Sequence, residues 1–228
     1  MTQPERFGVL FDCDGTLVDS LGRATESFEH ALDRVGAGNL PGGDLKHRFG
    51  QGADKIFLEL LGDELKAQKA FGLYLEHQAG LAMSTPLHPG IRDLLNHLHH
   101  ARVPMGIVTG RHAVDLALVL NPHDLAPYFS VLVADSDVAR PKPAPDGLLL
   151  ACQTLGLKPG RTLYVGDSVN DMLAARAAGC VAVAALWDGL SDKAGLANTH
   201  PAVMAQSPSE LEAFVGTWSQ ARGQANPS

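Results

Sequence analysis

Basic residues are in short supply. The 228-residue chain has 18 lysines and arginines against 25 aspartates and glutamates, a formal net charge of −7. A protein that binds nucleic acid or an anionic membrane surface needs the opposite balance, so both are excluded as partners. An anionic ligand gets no help from the global field here. Any anion site must be made locally by a metal ion, a lysine or backbone N–H groups. Long apolar runs are missing as well. No stretch approaches the roughly 20 apolar residues that span a bilayer. The start, M-T-Q-P-E-R, lacks the basic and apolar regions of a secretory leader. Cysteine is scarce and odd in number. Cys13, Cys152 and Cys180 lie far apart with no C-x-x-C pair, and read as buried reduced thiols. Charged residues make up only 19%, too few for a solvated disordered segment, while 45% apolar residues suffice for a core. The expectation is a soluble cytoplasmic protein, with oligomeric state open between monomer and homodimer. The length suits one large domain, or one domain carrying a smaller insert.

What is present has a clear rhythm. Residues 7–11, F-G-V-L-F, read as a short strand, apolar without alternation, as a strand covered on both faces would be. After Ser20 the spacing turns helical, with Leu21, Ala24, Phe28, Ala31, Leu32 and Val35 on one face. G-A-G-N-L-P-G-G at 36–43 predicts a loop, and 53–61 and 63–79 predict helices. From Pro86 onward helices and strands alternate. Strands are predicted at 105–109, 131–134, 162–165 and 181–186, with helices at 91–100, 113–120, 146–155 and 171–178. That alternation implies βαβ units and a doubly wound parallel α/β sheet with an inserted all-α block. The expected division is a core of residues 1–20 and 85–228 and an inserted helical block of residues 21–84.

Ligands of such sheets bind outside the carboxyl ends of the strands, so the residues that follow each strand matter most. Asp12 and Asp14 follow the first strand. Thr109, Gly110 and Arg111 follow the next, and Gly166-Asp167-Ser168 a later one, with Asp171 four residues beyond Asp167. Lys142 sits between prolines in R-P-K-P. Four carboxylates gathered at one edge repel one another, and a divalent cation offsets that cost. Oxygen-only ligands suit Mg²⁺ before Zn²⁺.

The ordered motifs D-C-D-G-T, T-G-R, K-P and G-D-S-x-x-D resemble those of the haloacid dehalogenase-like hydrolases, and the helical insert resembles their phosphoglycolate phosphatase-like branch. The resemblance implies an Mg²⁺-dependent phosphatase acting on small phosphate monoesters through an aspartyl-phosphate. It implies Asp12 as nucleophile and Asp14 as general acid/base. Residues i and i+2 of an extended strand face the same way, so both can serve one phosphoryl group. It further implies Thr109, Gly110, Gly15 and Lys142 as phosphate-binding groups, Lys142 also offsetting charge on the nucleophile. The metal ligands would be Asp12, Asp14 through its backbone carbonyl, Asp167 and Asp171. Asp171 would act through water or orient Lys142. It implies that the helical block of residues 21–84 is a cap. The segment 45–56 resembles the part of the family's cap that faces the site, with Arg48 the candidate for a second anionic group of the substrate. Gly50 and Gly52 could let that segment approach the ligand.

Other readings stay open. A β-phosphoglucomutase-like phosphomutase would carry the same residues. A dehalogenase would not need Asp14. A phosphonate hydrolase would call for an amine such as Lys46 or Lys55. A binding protein on the same scaffold would not need all six polar groups intact. Thr109 could instead be a helix N-cap. Arg111 reads as solvated before it reads as a substrate contact, and Asp188 and Asp192 as loop and capping residues.

Overall fold

The computed structural model of the protein describes residues 6–38, 45, 48 and 51–223. Among these, six strands make one parallel sheet. They are β1 (Gly8–Phe11), β2 (Met105–Val108), β3 (Val131–Val133), β4 (Thr162–Gly166), β5 (Val181–Ala185) and β6 (Val203–Ala205), in the order β3-β2-β1-β4-β5-β6. The unbroken apolar run of β1 has a direct cause. Val9 and Phe11 enter one hydrophobic cluster and Leu10 the opposite one, so the strand is covered on both faces. β4 repeats the pattern, with Leu163 and Val165 on the first side and Tyr164 on the second.

The first face is covered by α4 (Ile91–His100), α5 (Ala113–Leu120) and α9 (Pro208–Gly223). In α4 the buried residues are Ile91, Leu94, Leu95 and Leu98, the one-sided spacing of an amphipathic helix. The second face is covered by α6 (Asp146–Leu155) and α7 (Val169–Ala178), with α8 (Lys193–Asn198) in a smaller cluster at one side. The chain winds outward from β1 through β2 to β3, then returns to pair β4 on the other side of β1. The strand order therefore reverses between β1 and β4, and a crevice opens at such a reversal.

Three helices lie between β1 and α4: α1 (Leu21–Arg34), α2 (Ala53–Leu61) and α3 (Glu64–Leu81). They pack around a separate cluster that includes Phe28, Ile56, Phe57 and Tyr74. Gly62 ends α2 in the left-handed conformation, and the Asp63 side chain accepts the Lys66 N–H to start α3. The two chain crossings into and out of this block run side by side. The Asp19 N–H donates to the Pro86 carbonyl, and the His88 N–H to the Leu17 carbonyl, both at 3.0 Å.

The predicted elements correspond closely to those formed. α7 begins two residues earlier than its pattern suggests, and β6, α8 and α9 lie beyond the last predicted element. Most of the loop expected at 36–43, together with Lys46 and Gly50, lies outside the described residues. Among the described residues no helix is long and apolar enough to cross a membrane.

Candidate active site

β1 stops where its next residues are charged. The Asp12 N–H still donates to the Val165 carbonyl of β4 at 2.8 Å, which anchors the strand end at the crevice. The chain then turns through Gly15 at φ +67°, with the Gly15 N–H on the Val18 carbonyl at 3.0 Å. Glycine is required there for two reasons. The left-handed conformation disfavours any Cβ, and a Cβ would sit 2.3 Å from an Asp167 carboxylate oxygen. The turn thus brings the first and fourth strand ends together.

Lys142, from the loop before α6, is buried behind the carboxylates. Its Nζ lies 2.9 Å from Asp12 Oδ1 and donates to Asp171 Oδ1 at 2.6 Å and to the Tyr164 hydroxyl at 3.1 Å. Burial disfavours its charge, but Asp12 and Asp171 reverse that and hold the ammonium well above its ordinary pKa. Asp171 is one turn into α7. Its Oδ2 accepts the Ser168 hydroxyl at 2.6 Å and the Ser168 N–H at 3.0 Å, while Ser168 Oγ caps the Asp171 N–H. The Tyr164 hydroxyl lies 3.0 Å from Asp171 Oδ1. With both oxygens so engaged, Asp171 is built to orient Lys142.

The carboxylates differ in environment. Burial pushes the Asp12 carboxyl up to about 7, with Lys142 opposing and Asp171 and Asp14 adding to the rise. Burial also pushes Asp167 well above the usual carboxylate range, with Asp171 and Asp12 contributing. Among the described residues, the one hydrogen bond to the Asp167 side chain is a long 3.5 Å contact from the Thr16 hydroxyl. Ligand oxygens of Asp12, Asp167 and Asp171 lie within 4.8 Å of one another. An all-oxygen donor set fits a hard divalent cation, whose charge would favour the ionised forms of Asp12 and Asp167.

Asp14 is held differently. Burial acts to raise its pKa, but the Arg111 guanidinium, together with Ser20 and Lys142, more than offsets this and its carboxyl lies below the usual range. Arg111 Nε donates to Asp14 Oδ2 at 2.7 Å and Nη2 to Oδ1 at 2.5 Å. Ser20 Oγ also donates to Asp14 Oδ1. On its far side Arg111 Nη1 pairs with Asp115 Oδ1 at 2.8 Å, and the Tyr74 hydroxyl of α3 donates to Asp115 Oδ2 at 3.3 Å. The expectation of a solvated Arg111 is therefore corrected: the side chain is 5% exposed.

A cavity of about 570 Å³ lies between the sheet and the three inserted helices, with Lys142 and Asp171 behind its wall. Asp12, Asp14, Thr109, Gly110, Arg111 and Asp167 line it from below. Phe28, Ile56, Tyr74 and Gln51 face it from above. Thr109 is not a helix cap, since His112 occupies that position for α5. Thr109 Oγ1 accepts the Arg111 N–H at 3.2 Å, which leaves its proton available to an anion. Asp188 and Asp192 do act in turns and capping, as expected, yet both also border the cavity. Arg48 is not on the cavity wall; it pairs with Glu59 at 2.7 Å on the surface of the insert. Lys55 does not reach the cavity wall either, and its ammonium pairs with the buried Asp135 after β3.

Sequence reasoning missed Asp115, Tyr74 and the buried role of Arg111. The available signals were the arginine two residues past Thr109 and the i, i+4 spacing from Arg111 to Asp115.

The chain is similar to known proteins along most of its length. It is 33% identical over 238 aligned residues to the phosphoglycolate phosphatase of Escherichia coli K12, covering 92% of each chain. It is 34% identical over 187 residues to the phosphoglycolate phosphatase of Chromobacterium violaceum, covering 77% of this chain and 83% of the other. The crystal structure of a hydrolase from Pseudomonas syringae superposes with a TM-score of 0.81 at 24% identity, covering 93% of this chain and 99% of that one, a likeness of fold. Residues 9–185, from the strand that carries Asp12 to the end of β5, match the haloacid dehalogenase-like hydrolase family, and the chain belongs to it.

Proposed function

We propose that this phosphatase hydrolyses small phosphate monoesters, phosphoglycolate-like in size, through an aspartyl-phosphate on Asp12, with Mg²⁺ as its cation. The observation that carries the reading is the pair of carboxylates at one strand end with opposite surroundings. Asp12 faces Lys142, and Asp14 faces Arg111. A carboxylate oxygen of Asp12 attacks phosphorus while the bond from phosphorus to the ester oxygen breaks. Asp14, which takes up a proton against its Arg111 pairing before this step, delivers that proton to the departing alkoxide. Water then attacks the acyl phosphate, Asp14 takes its proton, and inorganic phosphate leaves. Thr109 and the backbone at Gly110 and Gly15 orient the phosphoryl oxygens, and Lys142 offsets their charge.

Asp12, Asp167 and the Asp14 carbonyl would hold the cation, with Asp171 behind them. When bound, the cation supplies positive charge to the phosphoryl oxygens and to the nucleophile. Residues 21–84 serve as the cap, which excludes water, over a core of residues 1–20 and 85–228. The named activity of the Escherichia coli and Chromobacterium relatives supports a small acid phosphate as substrate. Three buried free thiols fit a reducing compartment such as the cytoplasm.

Phosphate release from a panel of monoesters, with Mg²⁺ and with chelator, tests the reading. Asp12→Asn keeps the shape and removes the nucleophile, so hydrolysis should be abolished. Wild-type turnover by that variant, or phosphate release indifferent to chelation, would refute the mechanism.

A further inference from the structure

Arg111 is a buried cation that the reaction as written does not use. It leaves the chain just past β2, yet its side chain crosses to the residue two past the nucleophile. Both of its contacts with Asp14 are short and parallel, one to each carboxylate oxygen. That fork fixes the plane of the carboxylate as well as its place. Ser20 makes a further contact on Oδ1. The guanidinium is itself fixed from behind by Asp115, only 2% exposed, which takes the Tyr74 hydroxyl from the inserted helices. Its main chain is fixed too. The Arg111 N–H is on Thr109 Oγ1, and its carbonyl accepts the Asp135 N–H at 2.8 Å. Asp135 is in turn paired with Lys55 of α2. Both ends of Arg111 therefore connect to the insert.

A proton donor must be aimed at the oxygen it serves. Arg111 favours the ionised Asp14 carboxylate, so what it contributes is aim and not retention of the proton. Asp14 lies on a turn beyond the end of β1 and borders an open cavity, where a single-bonded carboxylate would rotate. We propose that Arg111 is the positioning residue that sets the orientation of the Asp14 carboxylate towards the leaving-group oxygen, with Asp115 and Tyr74 bracing it from the side of the insert. The inference rests on the reading of Asp14 as the general acid. It assigns Arg111 to the leaving-group side of the reaction, distinct from Lys142 on the nucleophile side.

The assignment has a signature that a structural role lacks. An alkyl phosphate needs a proton on its departing oxygen, whereas p-nitrophenyl phosphate releases a phenolate that is stable without one. kcat/KM reports steps up to release of the alcohol, and so isolates this difference from the later attack by water. The experiment measures kcat/KM for p-nitrophenyl phosphate and for phosphoglycolate, with Mg²⁺, in wild type, Arg111→Met, Arg111→Lys and Asp14→Asn. A well-placed general acid is worth about 10²–10⁴-fold, so loss of its aim should cost about 10- to 100-fold on the alkyl ester. The loss on p-nitrophenyl phosphate should stay within about threefold, because that leaving group bypasses the proton transfer. Arg111→Lys keeps a cation between Asp14 and Asp115 and so preserves the fold if Arg111→Met does not. It lacks the fork, and it should show the same selective loss to a smaller degree.

An equal loss on both esters, or a rise in KM alone on both, would overturn the assignment and make Arg111 a structural or phosphate-binding group. Asp14→Asn separates the two layers. If it spares p-nitrophenyl phosphate while the Arg111 variants do not, only the positioning role fails. If it depresses both esters alike, the general-acid reading fails and this inference with it. A wild-type protein that hydrolyses neither ester refutes both.

Discussion

Replacing Lys142 with methionine tests the electrostatic construction of the site. The ammonium lies between Asp12 at 2.9 Å and Asp171 at 2.6 Å, and all three side chains are less than a tenth exposed. Methionine fills similar volume without charge. Removing one member of a buried pair leaves its partners uncompensated, at about 3–5 kcal/mol. For a chain of this size each kcal/mol moves Tm by roughly 2–4 °C, so the metal-free variant should melt roughly 6–20 °C lower near pH 8. The deficit should depend on pH. Burial already raises Asp12 to about 7, and Lys142 opposes that rise, so its loss raises the carboxyl further. The native variant then holds a proton that the unfolded chain, with an aspartate near 3.9, has lost. Stability therefore falls as pH rises from the unfolded value through the folded one, so the variant should recover much of its deficit near pH 5. Mg²⁺ at about a hundredfold above its dissociation constant should restore about 2.7 kcal/mol. Thermal melts with chelator and with Mg²⁺, near pH 5 and near pH 8, decide the matter. A Tm equal to wild type near pH 8 in chelator, or a deficit that ignores pH, would refute the charge-pairing argument.

Two further substitutions probe the scaffold. Gly15→Ala should destabilise by about 1 kcal/mol or more from its positive φ alone, and the new methyl should displace Asp167. Weakened Mg²⁺ affinity, measured by calorimetry, would accompany the lower Tm; unchanged affinity would show that the turn tolerates the group. Phe57→Ala empties a fully buried ring that packs 4.8 Å from Phe28, at about 3–5 kcal/mol. Hydrogen exchange should accelerate in α1, α2 and α3 far more than in the sheet, since their cluster shares no buried member with the sheet clusters. Uniform acceleration would make the insert one cooperative unit with the core.

Much of the fold was legible because its signals are local. β1 and β4 are apolar runs that end in carboxylates, and a strand end is where a sheet binds its ligands. α4 announces itself by four leucine and isoleucine positions on one face. The end of the chain was less legible. β6 is three residues long, α8 six, and α9 buries chiefly Leu211 and Val215 against the sheet. Within the site, Asp12, Asp14 and Asp167 could be read from their places in sequence. Arg111 could not, because its fork closes on a partner 97 positions away and its brace comes from a helix of the insert. Arg48, the candidate for a second anionic group of the substrate, has a partner that its place in sequence did not suggest. A short pairing with Glu59, eleven positions on, satisfies it on the surface.

The position of β1 has a consequence for how the protein is made. β1 leaves the ribosome before either of its neighbours, since Val9 pairs with Met105 on one side and Leu163 on the other. Synthesis proceeds at about 5–20 residues per second, so β1 waits roughly ten to thirty seconds for its second neighbour. During that interval Val9, Leu10 and Phe11 have no permanent cover, while the residues that α1, α2 and α3 contribute to their own cluster are already made. The nascent chain thus presents a bare apolar strand, the kind of segment that holdase chaperones shield. Asp12 is translated long before its anchor on Val165. A nascent chain interrupted before β4 contains the nucleophile and has no active site to put it in.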